Sequence, residues 1–192
     1  MSEEELRFTA WHETGHTLCH IYAGYIPNYV TVVSRGGYGG YMSPDRKSLK
    51  GCPSKRDLVD RILSLLGGRA AERIYFGSED DVTIGAGSDL EKATGIAYRM
   101  INTYGMVNGY VVFKPSLGRN PETLPYMNAL LKGQYKKAIA VIEKNRALAE
   151  ALVAELMKKR RLTGGEIKAI VDETGFEREI CSDDGGEEDG QG

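Results

Sequence analysis

Two histidines four residues apart, His12 and His16, with a glutamate directly after the first, constrain this chain more than any other feature of it. The run His12-Glu13-Thr14-Gly15-His16 carries chemistry only on an α-helix. There, positions i and i+4 lie one turn apart on one face, and both imidazoles can reach a single zinc ion at about 2.0–2.1 Å. The flanking residues supply that helix: Leu6, Phe8, Ala10, Trp11, Leu18, Ile21 and Tyr22 recur at helical spacing between Glu5 and Ala23, and Gly24 and Pro27 end the segment. Glu13 is then placed to take a proton from a water at the metal and pass it to a leaving amine, without itself being a ligand. So short a pattern also arises by chance, but its seat on an independently recognisable helix, with Gly15 leaving room beside the metal, favours a zinc site.

An open catalytic zinc commonly has three protein ligands and a water. His20 lies eight residues past His12, an axial rise of about 12 Å at 1.5 Å per residue, too far to share the ion. It reads as a packing or hydrogen-bonding histidine. With three histidines in all, the third ligand must be a carboxylate or, as the weaker alternative, Cys52 or Cys181. Asp89, in Gly85-Ala86-Gly87-Ser88-Asp89-Leu90, stands at a loop-to-helix junction where glycines let the chain approach a metal. It reads equally well as an acid favoured by the dipole of a helix N-terminus.

The rest of the chain reads as mainly α with a minor β element. Tyr29 to Val33 is short and β-branched, Gly36-Gly37 offers a turn, and Tyr38 to Met42 returns as a second strand of a hairpin or sheet edge. Ser54 caps a helix running to about Tyr75 with Gly77 just past its end, and the Gly67-Gly68 pair within it suggests close packing against another backbone. Ser78 to Gly87 is a loop before a third helix from about Ser88 to Thr103. Gly105 to Pro125 reads as irregular chain with one short strand at Tyr110 to Phe113. Pro125 to Arg161 is built of strong helix formers and reads as a C-terminal helical hairpin broken near Gly133. Thr163-Gly164-Gly165-Glu166 has the spacing of a capping box and opens a last helix through Val171. Residues 1–178 form one expected domain, and 179–192 an acidic, disordered tail.

With 192 residues and 41% hydrophobic content, the chain suffices for one domain with a core. A net charge of −2 gives no electrostatic reason to expect a nucleic-acid partner. Three cysteines without a C-x-x-C pair fit a reducing compartment. The acidic first residues are unlike a secretory signal, and no run approaches the roughly 20 apolar residues that span a bilayer. The expectation is a soluble, cytoplasmic protein with no membrane insertion by this chain.

Three blocks together resemble the peptidase domain of the FtsH-type ATP-dependent zinc metalloproteases. They are His12-Glu13-Thr14-Gly15-His16, then Leu66-Gly67-Gly68-Arg69-Ala70-Ala71-Glu72, then Gly85-Ala86-Gly87-Ser88-Asp89-Leu90-Glu91-Lys92-Ala93-Thr94, in family order and at family-like separations. The resemblance covers roughly Glu5 to Thr174 and is weakest between Tyr104 and Pro125. It implies a helical zinc metallopeptidase that hydrolyses polypeptides, with Asp89 as the third ligand. It also implies that Glu72 lies beside the metal and steadies a zinc histidine through its free ring nitrogen. Substrate would lie extended along Gly39-Gly40-Tyr41-Met42, with Gly40 and Tyr41 in contact with it through main-chain pairing. The alternatives are that Glu72 is an ordinary helix-surface acid and that the hairpin is merely structural.

Members of that family form hexameric rings and carry membrane segments and a nucleotide-driven unfolding module ahead of the peptidase domain. This sequence starts a few residues before the zinc helix and contains no G-x-x-x-x-G-K-[ST] segment to cradle phosphates. We therefore expect an endopeptidase without its own ATPase motor, acting on unfolded or flexible chains or on substrates brought by a separate unfoldase or delivery partner. Ser88 stands where the family commonly has asparagine, and Arg73 where it commonly has a second glutamate. Neither change removes a ligand, though Arg73 puts a cation near the site. Two competing expectations are a zinc-stabilised peptide-binding or adaptor protein without turnover, against which the intact Glu13 speaks, and hydrolysis of a small amide or ester.

Overall fold

A computed structural model describes residues 2–33, 39–48, 51–106 and 123–180. Among these, six α-helices surround one small antiparallel sheet. The helix starts follow from local chemistry. In α1 (Glu3–Tyr22), Ser2 Oγ accepts from the Glu5 N–H while the Glu5 carboxylate accepts from the Ser2 N–H, and Glu3, Glu4 and Glu5 sit at the positive end of the helix dipole. Ser54 and Asp57 form the same reciprocal box at α2 (Lys55–Phe76), as do Thr163 and Glu166 at α6 (Gly164–Thr174). Gly77 ends α2 with φ 78, a left-handed conformation that favours glycine, and donates its N–H to the Arg73 carbonyl.

Of the Gly67-Gly68 pair, Gly67 meets another backbone as its sequence suggests. A Cβ on Gly15 would lie 2.2 Å from the Gly67 carbonyl oxygen, and one on Gly67 would lie 2.4 Å from that of Gly15. The α1 and α2 backbones therefore touch at this crossing, which brings the two histidines of α1 against α2. Helix α3 (Gly87–Asn102) packs on α2 through Ala93, Ala97 and Met100 against Ile62 and Leu66. The larger core joins α1 to the C-terminal helices and the sheet, with Leu18, Leu63, Ile142, Leu152, Leu156 and Leu162 fully buried or nearly so.

In the C-terminal half, α4 (Thr123–Lys144) and α5 (Arg146–Lys159) replace the expected break near Gly133 with one at Asn145. A lone glycine costs a helix only about 1 kcal/mol and is carried by packing on α2 and α3. Asn145 instead takes part in a specific bridge. Its Nδ2 donates to the carbonyls of Val141 and Glu177, and its Oδ1 accepts from the Glu177 N–H at 2.8 Å. Helix α5 packs on α1 and α6.

The sheet has strand order β2-β1-β3, from β2 (Tyr41–Ser43), β1 (Tyr29–Thr31) and β3 (Arg161–Thr163). The first two form the expected hairpin pair. The third strand is unforeseen: Arg160 takes φ 65, turning the chain at the end of α5 so that Arg161–Thr163 pairs with Thr31–Tyr29. The expected turn at Gly36-Gly37, the strand at Tyr110 to Phe113, Cys181 and residues 181–192 lie outside the described residues. Ile180 still packs against the core, and Arg178 donates to the carbonyls of Tyr22 and Ile21. No helix among the described residues is long and apolar enough to cross a membrane.

Candidate metal centre

Helix α1 turns His12 and His16 to one side, with their Nε2 atoms 3.1 Å apart. The other ring nitrogens are occupied. His12 Nδ1 lies 2.8 Å from Glu72 Oε1, and His16 Nδ1 lies 2.7 Å from the Ser64 carbonyl oxygen. A carboxylate and a carbonyl only accept hydrogen bonds, so each ring carries its proton on Nδ1 and directs Nε2 toward the same point. Asp89 Oδ2, from the first turn of α3, completes the group at 3.2 Å from His16 Nε2 and 3.9 Å from His12 Nε2. The three ligand atoms all lie within 4.8 Å of one another. Two ligands of a tetrahedral zinc at about 2.0–2.1 Å stand about 3.3 Å apart, so two imidazoles and one carboxylate in this arrangement fit one zinc ion with little movement.

Charge is balanced around these atoms. Burial acts to lower the His12 pKa, but the carboxylates of Asp89, Glu72 and Glu13 outweigh it and hold it at about 9 without a metal, so a cation is favoured here. Burial likewise works against a charged Asp89, yet His12, His16 and the Lys92 ammonium, 3.0 Å from Oδ1, hold its carboxyl well below the usual range. Burial raises the Glu13 carboxyl, opposed by the two imidazoles and by the backbone N–H of Met42. Glu13 is thus a buried acid whose pKa lies above the usual carboxylate value.

Glu72 is completely buried and holds two elements together. Besides the bond from His12 to Oε1, its Oε2 accepts from the Thr83 N–H at 2.9 Å and the Thr83 hydroxyl at 3.2 Å. Those bonds outweigh burial and keep it ionised. Thr83 Oγ1 in turn accepts from the Gly85 N–H at 3.0 Å, tying down the loop that leads to Asp89. Sequence reading missed Thr83 and Ser64. Thr83 carried a signal, a hydroxyl two residues before a glycine at a helical turn; Ser64 acts through its main-chain carbonyl, for which residue identity is silent. Gly68 was also read only as a packing residue, yet a Cβ there would lie 2.6 Å from Nε2 of both histidines.

His12, Glu13, His16, Ser64, Glu72 and Asp89 all line a cleft of about 990 Å³. Gly40 packs directly on the acid: an added Cβ would lie 2.5 Å from Glu13 Cγ and from the Thr31 carbonyl oxygen. Tyr41, 53% exposed, opens the outer strand β2 on the cleft wall.

A family model for peptidase family M41 matches residues 1–124, about two thirds of the sequence. The chain belongs to peptidase family M41. Among its relatives, the ATP-dependent zinc metalloprotease FtsH of Mycoplasma genitalium is 33% identical over 94% of this chain and 28% of its own length. Proteins of the same description from Thermus thermophilus and Bacillus subtilis are 32% and 31% identical, over 90% and 96% of this chain and 30% and 32% of theirs. The chain spans about a third or less of the length of these relatives.

Within this M41 chain the remaining sequence candidates fall away from the metal point. His20 Nε2 accepts from the Asp45 N–H at 3.2 Å, its ring packs against Tyr25, and burial pushes its pKa down to about 4, so it is a neutral structural histidine. Arg73 pairs with Glu79 at 2.9 Å. Cys52 is an exposed free thiol outside the metal-ligand group.

Proposed function

We propose that this M41 chain is a zinc-dependent endopeptidase that hydrolyses peptide bonds of unfolded or flexible polypeptides. His12, His16 and Asp89 hold the metal and Glu13 is the general base. The observation that carries the reading is the convergence of three ligand atoms within 4.8 Å, with Glu13 on the same cleft. When bound, zinc supplies Lewis acidity, polarising a scissile carbonyl and making water acidic near neutral pH.

The protein's own groups do the rest. Glu13 accepts the proton of the attacking water and returns it to the leaving amine. Glu72, through His12 Nδ1, fixes the orientation of that ring. Strand β2, with Gly40 and Tyr41, receives the extended substrate through main-chain hydrogen bonds that do not read side chains. The relatives are described as ATP-dependent. These 192 residues hold no phosphate-cradling glycine loop, so any unfolding force would be supplied from outside them. Hexameric self-assembly and a cytoplasmic setting complete the reading.

The test compares the purified protein with Glu13→Gln for zinc content and for cleavage of casein, with and without a chelator. Both should retain zinc, and only the unaltered protein should cleave, losing activity to the chelator. Zinc-loaded protein that cleaves no unfolded substrate would instead support a zinc-stabilised peptide-binding or adaptor role.

A further inference from the structure

The sheet presents two unlike faces. Its register places Tyr29, Thr31, Tyr41, Ser43, Arg161 and Thr163 on one side and Val30, Met42 and Leu162 on the other. Val30 and Leu162 are fully buried, so the first set forms the outward face. On it the Arg161 guanidinium lies 3.9 Å from the centre of the Tyr29 ring, and the Tyr29 ring lies 6.1 Å from that of Tyr41. Tyr29, Tyr41 and Arg161 line the same cleft as His12, Glu13 and Asp89.

A guanidinium laid on an aromatic face has its plane fixed while its in-plane N–H groups stay free, which pre-arranges the fork that binds a carboxylate. Of the other cations lining the cleft, Lys92 pairs with Asp89 at 3.0 Å and Lys159 with Glu166 at 2.9 Å, while Arg61 of α2 has no ion pair among the described residues. Neither Arg160 nor Arg161 has an ion pair among the described residues. Outside the metal centre the acids lining the cleft are Asp57 and Asp60 of α2, and Asp57 caps that helix.

We infer that Arg161, held on Tyr29 and supported by Arg160, forms a side-chain subsite for an acidic residue of the substrate in the cleft that also holds the metal centre. Main-chain pairing along β2 gives the cleft its tolerance, and this subsite adds a charge preference to it. The inference rests on the endopeptidase reading for its kinetic readout, but not for its binding readout.

The test uses quenched fluorescent peptides, otherwise uncharged, in which Asp, Ala or Lys is moved through each position flanking the scissile bond. At one position kcat/KM should favour Asp over Ala by about threefold, the scale of a single partly exposed ion pair. That ratio should fall toward one in Arg161→Gln and at high salt, and Arg161→Lys should retain part of it. In parallel, binding of the labelled peptides to zinc-loaded Glu13→Gln protein is followed by fluorescence anisotropy, with the same ratio expected between dissociation constants. No acid preference in either readout, or one that survives Arg161→Gln, overturns the subsite. Preferential binding of the Asp peptide without hydrolysis by the unaltered protein would uphold the subsite and overturn the endopeptidase reading. Circular dichroism confirms that each variant is folded.

Discussion

Glu72 Oε1 and His12 Nδ1 lie 2.8 Å apart, and the carboxylate involved is completely buried. An ionised acid tolerates such burial because every bond it makes is to a donor: the imidazole N–H on one oxygen, the Thr83 N–H and hydroxyl on the other. In Glu72→Gln one amide nitrogen would have to face a donor. Zinc affinity should fall about 10–100-fold, the usual cost of losing the partner of a metal-bound histidine, as read by chelator competition.

Thr83 extends the same chain to the loop before Asp89. Thr83→Val keeps the volume and the main-chain N–H but removes the hydroxyl shared between Glu72 and Gly85. A loss of about 1 kcal/mol of metal-binding free energy, roughly fivefold in affinity, is expected, with Thr83→Ser close to the unaltered protein. Equal zinc affinity in Thr83→Val would show that the main-chain bond alone holds the loop.

Neighbouring glycines separate stability from metal binding. Gly67→Ala forces a Cβ into the Gly15 backbone and should destabilise the fold by about 2 kcal/mol, with Tm lowered by several degrees. Gly68→Ala puts its Cβ against Nε2 of both histidines instead. It should lose most zinc while keeping its helical circular dichroism. The reverse pattern would place the helix crossing elsewhere.

His20 predicts an acid-side loss of stability. The folded protein holds its imidazole neutral down to about pH 4, whereas the unfolded chain takes the proton near 6.5. The unfolded state therefore binds more protons in that window, and stability falls as pH drops from about 6.5 to about 4 by up to about 3 kcal/mol. Urea unfolding of the zinc-loaded protein should show this. His20→Gln, which keeps an acceptor for the Asp45 N–H, should remove that part of the slope.

The helix ends were legible because their chemistry is local. Ser54 and Gly77 bracket α2, and Thr163 with Glu166 opens α6, through bonds spanning a turn or so. Strand β3 was not legible: three residues show no periodicity, and Arg161–Thr163 is a strand only because β1 lies beside it. The break at Asn145 was missed for a similar reason, since its decisive bond is to Glu177, 32 positions away.

That His12 and His16 share a helix face, with Glu13 beside them, follows from 3.6 residues per turn, which leave no other arrangement. From the residues alone Asp89 has two even readings, and the family resemblance implies the ligand one. Only the tertiary structure set its Oδ2 at 3.2 Å from His16, buried Glu72 behind His12 and laid Gly40 on Glu13. Those placements depend on how closely α1 and α2 approach at Gly15 and Gly67 and on where the loop through Thr83 is tied. Contacts between residues tens of positions apart are decided by packing, which no local pattern encodes.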